Sequence, residues 1–190
     1  MLIISQNASN YNIPFPDDTV YRINLAWVNS IEELENLLEK HENQRIFLDL
    51  PKGRVKPPNN RYSLEDLFSI LNTHNNIKYF AVSNVNSSED LSIYKKVIPK
   101  EIILVPKIES PTAVSNIQNI IESIPTVEKI IMLDHDDLYS NLLKNNKPST
   151  EFTEYIDKLK KFCDENKITL LRTIGVIFSD EEKRTTQYVK

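Results

Sequence analysis

Glycine is almost missing from this chain, which holds only Gly53 and Gly175 among its 190 residues. A GxGxxG dinucleotide loop or a P-loop needs several positions without a side chain beside phosphate, so neither can be built here. Cysteine is nearly as scarce. Cys163 stands alone, which excludes an intramolecular disulfide and any cysteine-based metal cluster. No apolar run approaches the ~20 residues that cross a bilayer. The opening MLIISQNASN also lacks the basic n-region and long apolar segment of a secretion signal. A cytoplasmic protein without a membrane partner is the expectation. Basic blocks are absent too, and a formal net charge of −4 argues against nucleic acid as the partner.

What is present is a repeated alternation. An apolar share of 40% is enough for one sizeable core, so a single domain over residues 1–190 is expected. The stretch 101–142 shows the unit most plainly. Residues 102–105 (IILV) form a near-continuous apolar run that ends in charge at Lys107 and Glu109. Val114, Ile117, Ile120, Ile121 and Ile124 then recur at helical spacing. A second apolar run, 130–133 (IIML), ends in Asp134, Asp136 and Asp137. This is strand, helix, strand, with acids at the C-terminal ends of both strands, the edge where parallel α/β folds bind ligands.

The same unit is legible elsewhere. Leu2, Ile3 and Ile4 suggest a short first strand, and VYRINLAW (20–27) a second, with Arg22 and Asn24 as its polar members. Asn29 and Ser30 read as the cap of a helix bearing Leu34, Leu37 and Leu38. RIFLDL (45–50) is a strand, and Ser63 caps a helix continuing to His74. KYFAVSN (78–84) is a strand, and a capped helix follows from Ser87 to Val97. Residues 138–149 read as a polar connection and 150–166 as a helix. Residues 168–178 read as a last strand broken at Gly175, and the charged tail from Ser179 as a short helix or a frayed end. Six or seven strands separated by helix-length segments predict a parallel sheet: α/β, either an open doubly wound sheet or a shortened, incomplete (β/α) barrel of the TIM type. A full eightfold barrel takes ~250 residues.

Two stretches resemble the phosphoenolpyruvate/pyruvate barrel superfamily. KYFAVSNVNSSEDL resembles both pyruvate kinase and the citrate lyase β-subunit/hydroxy-oxo-acid aldolase family. VPKIESPTAVSNIQNII followed by IIMLDHDDLYSNL is similar to the aldolase/citrate lyase pattern, while Lys107 directly before Ile108 and Glu109 is more like pyruvate kinase. The resemblance covers roughly residues 20–180. It implies that Glu109 and Asp137 hold a divalent metal, Mg²⁺ or Mn²⁺, a hard cation served by carboxylates. It implies that the metal chelates a pyruvate-like 2-oxo acid or acyl-CoA-type substrate and stabilises its enolate as a Lewis acid. Arg22 would bind carboxylate or enolate charge with its planar fork, and Lys107 would stand near the reacting oxygen or a transferring phosphate. The implied activity is that of a carbon–carbon lyase or aldolase.

The chain also departs from those families. Asp134-His135-Asp136 replaces the glycine-rich turn before the metal aspartate, a glycine is missing after Leu142, and the eighth strand is absent. A second reading follows: a catalytically degenerate barrel serving as a binding or assembly subunit. An incomplete barrel leaves strand edges exposed, so a homo-oligomer is expected. Plainer roles compete residue by residue. Glu109 could serve only the helix that begins at Ser110, and Lys107 could be a strand-end charge in water. His135 could be a ligand, a base or an exposed loop histidine. Arg22, on an apolar strand, calls for a ligand or an internal partner such as Asp49 or Glu109. The basic loop Lys52, Gly53, Arg54, Lys56 could hold a phosphate or a CoA-like tail, or be solvated. Cys163 reads as inert, and His41 and His74 as helix C-terminal residues favoured by the dipole.

Overall fold

The computed structural model describes residues 3–5, 16–54 and 57–172. Its strands are β1 (Ile3–Ser5), β2 (Val20–Asn24), β3 (Arg45–Leu50), β4 (Ile77–Val82), β5 (Ile103–Ile108), β6 (Ile130–Leu133) and β7 (Thr169–Arg172). They stand in one sheet in the order of the chain, parallel to their neighbours. Strands that follow one another without a switch point, each separated by helical segments, define an incomplete (β/α) barrel and not a doubly wound sheet. The expected fold class is therefore observed.

Contacts divide the chain into two compact units. The first comprises Met1–Ser83 and Ser92–Val105, the second Asn84–Leu91 and Pro106–Lys190. In the first, α1 (Ile31–Lys40) and α2 (Leu64–Thr73) accompany β1 to β4, with the short α3 (Tyr94–Val97). Ile23, Phe47, Leu48, Phe80 and Val82 are fully buried there, which is why β3 and β4 read as largely apolar runs and not as alternating ones. Ser30 accepts from Glu33 N–H and Ser63 from Asp66 N–H, so both helices begin where the cap residues predict. The second unit holds α4 (Pro111–Ser115), α5 (Ile117–Glu122), α6 (His135–Lys144) and α7 (Glu151–Asn166) around β6 and β7. Val114, Ile120, Ile131, Leu133, Leu138 and Leu159 form its core.

Several boundaries differ from the sequence reading. The strand in VYRINLAW stops at Asn24, whose side chain accepts from Ala26 N–H and turns residues 25–27 into one 3₁₀ turn. The helix expected over 87–97 is a 3₁₀ turn, Ser88–Leu91, and then the four-residue α3. In the first of these, Asp90 accepts from the backbone of Asn86 and Ser87, which favours a tight turn over a longer helix. The isoleucine helix breaks at Asn116 into α4 and α5. The supposed polar connection 138–149 is largely helix, because Asp134 caps α6 four residues upstream of where the connection was placed. His41 and His74 do stand at helix C-terminal caps. At His41, burial lowers the pKa and outweighs the Gln44 hydrogen bond, which raises it. Leu2, Gly175 and the charged tail lie outside the described residues.

Candidate metal centre

The register of β5 and β6 builds this site. Lys107 pairs with Met132 and Ile108 with Leu133. The next residue on each strand, Glu109 and Asp134, therefore leaves the sheet side by side, with Asp134 N–H donating to Ile108 C=O at 3.3 Å. Asp134 then caps α6, and its Oδ1 accepts from Asp137 N–H at 3.2 Å. A cap and the residue three positions on share one helix turn, so Asp137 is brought to the same rim. One carboxylate oxygen each of Glu109, Asp134 and Asp137 lies within 4.8 Å of the others. Such an acidic triad could bind a metal ion. Sequence reading placed Glu109 and Asp137; Asp134 completes the set, and its spacing of three from Asp137 was the available signal.

The surroundings are unequal. Glu109 is buried, Asp134 half-buried and Asp137 exposed. Burial raises the Glu109 carboxyl pKa; the Lys107 ammonium and the Asn84 N–H pull the other way. That N–H donates to Glu109 Oε2 at 2.6 Å. Asn84 reaches it with φ of 55°, a left-handed conformation that asparagine tolerates better than most residues. Nothing in the sequence singled out Asn84. From the other side, Asn141 Nδ2 on α6 donates to Glu109 C=O at 2.8 Å and ties α6 to the end of β5.

Lys107 is not a strand-end charge in water. It is 6% exposed, and its Nζ lies 2.9 Å from Glu109 Oε1 and 3.8 Å from Asp134 Oδ2. Three carboxylates against this one ammonium leave two formal negative charges, which a divalent cation would neutralise. All three donors are hard oxygens, the set that magnesium, manganese and calcium prefer. The residues present therefore fit such an ion.

His135 is not an exposed loop histidine either. It is buried at the first position of α6, and its Nε2 lies 3.3 Å from Arg172 Nε and 3.2 Å from Arg172 Nη2. Burial, and then the guanidinium, lower its pKa to about 4, which suits a neutral ring accepting from arginine. Asp136 is exposed on α6, and its pKa is raised, first by partial burial and then by Asp134 and Asp137. In the first unit, Arg22 has found the internal partner that its strand position demanded. Its Nε donates to Asp49 Oδ2 at 3.0 Å, Nη2 joins the same oxygen, and Asp49 is 1% exposed.

Among solved structures, this chain is similar to RipC from Yersinia pestis, with a TM-score of 0.61 over 98% of this chain and 83% of that one. The two sequences are 17% identical, so the likeness concerns the fold. No protein-family model matches the chain, and no curated protein does. No helix among the described residues is long and apolar enough to cross a membrane. Cys163 is buried, and burial raises its thiol pKa to about 12.

Proposed function

We propose that the second unit carries a divalent-metal site for a lyase- or aldolase-like reaction on a pyruvate-like 2-oxo acid or an acyl-CoA-type substrate. The observation that supports this reading is the convergence of the Glu109, Asp134 and Asp137 carboxylates at the ends of adjacent parallel strands. Resemblance of the surrounding motifs to the citrate lyase β-subunit/hydroxy-oxo-acid aldolase family supplies the reaction class. Glu109, Asp134 and Asp137 would hold Mg²⁺ or Mn²⁺. When bound, that ion would act as a Lewis acid on the oxo-acid oxygens and favour loss of a proton beside the carbonyl. Lys107 keeps the Glu109 carboxylate oriented and offers an ammonium at the same rim. Arg22, to which the family resemblance would give the substrate carboxylate, pairs with Asp49 within the first unit.

The test joins binding to chemistry. At a hundredfold excess over its Kd, Mn²⁺ should stabilise the chain by about 2.7 kcal/mol, which is roughly 5–10 °C in Tm for this size. The shift should disappear in Glu109→Gln and in Asp137→Asn. Proton NMR should show metal-dependent exchange of pyruvate methyl protons with deuterium, lost in the same variants. Absence of both the shift and the exchange in the parent chain would end this reading.

One observation favours a second reading, the catalytically degenerate barrel that serves as a binding or assembly subunit. Lys107 already supplies Glu109 with a cation at 2.9 Å. In that case Glu109→Gln leaves an ammonium buried beside a neutral amide, and the variant loses stability without any loss of turnover, because the parent has none.

A further inference from the structure

Outside the acidic site, the first unit holds a two-part groove. One part is a cleft of about 350 Å³ at the end of β3, to which Lys52, Arg54 and Arg61 contribute, with Asn60, Tyr62 and Tyr94. Among the described residues no acidic side chain lines it, and three formal positive charges meet in a chain whose net charge is −4. The other part, about 550 Å³, is lined chiefly by Phe68, Ile93, Leu64 and Val97, with Glu65 its one charged member among the described residues. Leu50, Tyr62 and Tyr94 wall both parts, so the two adjoin.

The walls are tied down. Gly53 takes a φ of 76°, which lets the chain turn directly after β3, with Lys52 N–H donating to Leu50 C=O at 2.9 Å and Arg54 N–H to Pro51 C=O at 3.2 Å. Arg54 Nε donates to Pro58 C=O at 2.7 Å. Tyr62 OH and Asn60 Nδ2 both donate to Val28 C=O, each at 2.7 Å. Tyr94 rests against Phe80, ring centres 6.2 Å apart. Phe68 and Ile93, by contrast, are 53% and 55% exposed, apolar surface lining the recess that adjoins the basic cleft.

We infer that this groove binds an aromatic phosphate ester, its phosphate among Lys52, Arg54 and Arg61 and its ring on Tyr62, Tyr94 and Phe68. Arginine forks match phosphate oxygens in pairs, and lysine adds a point charge. Flat rings favour aromatic over branched aliphatic bodies through offset and edge-to-face contact. Glu65 repels an anion from the apolar end and so fixes the direction in which the ligand lies. Because the turn and the tyrosines are already held, little ordering is left for binding to oppose.

Titration calorimetry on the full chain tests this, with 1-naphthyl phosphate, inorganic phosphate and 1-naphthol as probes. The phosphate ester should bind at least about tenfold more tightly than either fragment, a difference of about 1.4 kcal/mol. Arg61→Glu should weaken both phosphate-bearing probes about tenfold or more, the scale of a lost charge-assisted contact. Phe68→Ser should weaken 1-naphthyl phosphate and leave inorganic phosphate unchanged. Both side chains are exposed, and circular dichroism will show that the fold survives their replacement. The inference is overturned if 1-naphthyl phosphate gives no binding at millimolar concentration. It is equally overturned if Arg61→Glu and Lys52→Ala leave its affinity unchanged, or if 1-naphthol binds as tightly as the ester.

Discussion

Arg22 and Asp49 show how a strand position sets a demand and a neighbouring strand answers it. A guanidinium on an otherwise apolar strand needs a counter-charge, and Asp49, on the neighbouring strand β3 and 1% exposed, needs one more. Removing only the cation strands a buried carboxylate. Arg22→Met should therefore lower stability by on the order of 3 kcal/mol in urea unfolding, and Arg22→Met/Asp49→Asn by less than the sum of the two single changes. An arginine present only to meet substrate would leave the urea midpoint unmoved. Lys107 and Glu109 repeat the theme at the triad, with the difference that Glu109 shares its rim with two further carboxylates.

At the scale of the element, caps decide where helices begin. Ser30 accepts from Glu33 N–H at 3.1 Å, while Asn29 N–H donates back to Glu33 at 2.8 Å. Ser30→Ala should cost about 1 kcal/mol and Ser30→Gly only a few tenths, a contrast readable in the urea midpoint. These serine caps were plain in the sequence, as were the apolar runs in β3, β5 and β6, since burial on both faces leaves a largely apolar string. Asp134 was harder to place. An aspartate after a strand reads equally as a ligand, a cap or a solvated charge, and in the structure it both caps α6 and faces Glu109. Once its capping role was missed, α6 was read as a loop and His135 as exposed. Asn84 and Asn141 were beyond reach, because each acts on Glu109 across 25 and 32 residues of chain, through contacts that no local pattern encodes.

Over the whole molecule, pH acts through groups whose surroundings differ between the folded and unfolded states. His41 stacks on Tyr21 with ring centres 3.8 Å apart, and its Nδ1 lies 2.7 Å from Gln44 Oε1. Its folded pKa is lowered from 6.5, chiefly by burial and further by Lys40, while the Gln44 bond opposes the shift. The unfolded chain thus binds a proton there that the folded one resists. The contribution of His41 is present in full above pH 6.5 and is lost as pH falls below it. Unfolding followed from pH 7.5 to 5 should show declining stability, and His41→Gln should make the decline shallower. An identical slope in the variant would assign the loss to other groups.

The strand order has a temporal meaning as well. Among the described residues, each strand after β1 pairs with the one synthesised just before it. Assembly can proceed from the amino end as the polypeptide emerges, each new β-segment adding to an edge that already exists. Each pairing still spans a helical crossover, with 25 residues between Arg22 and its partner Phe47, so closure is slower than in a helical bundle built on local contacts. The acidic rim, made from the β5 and β6 ends, is then among the last features to form.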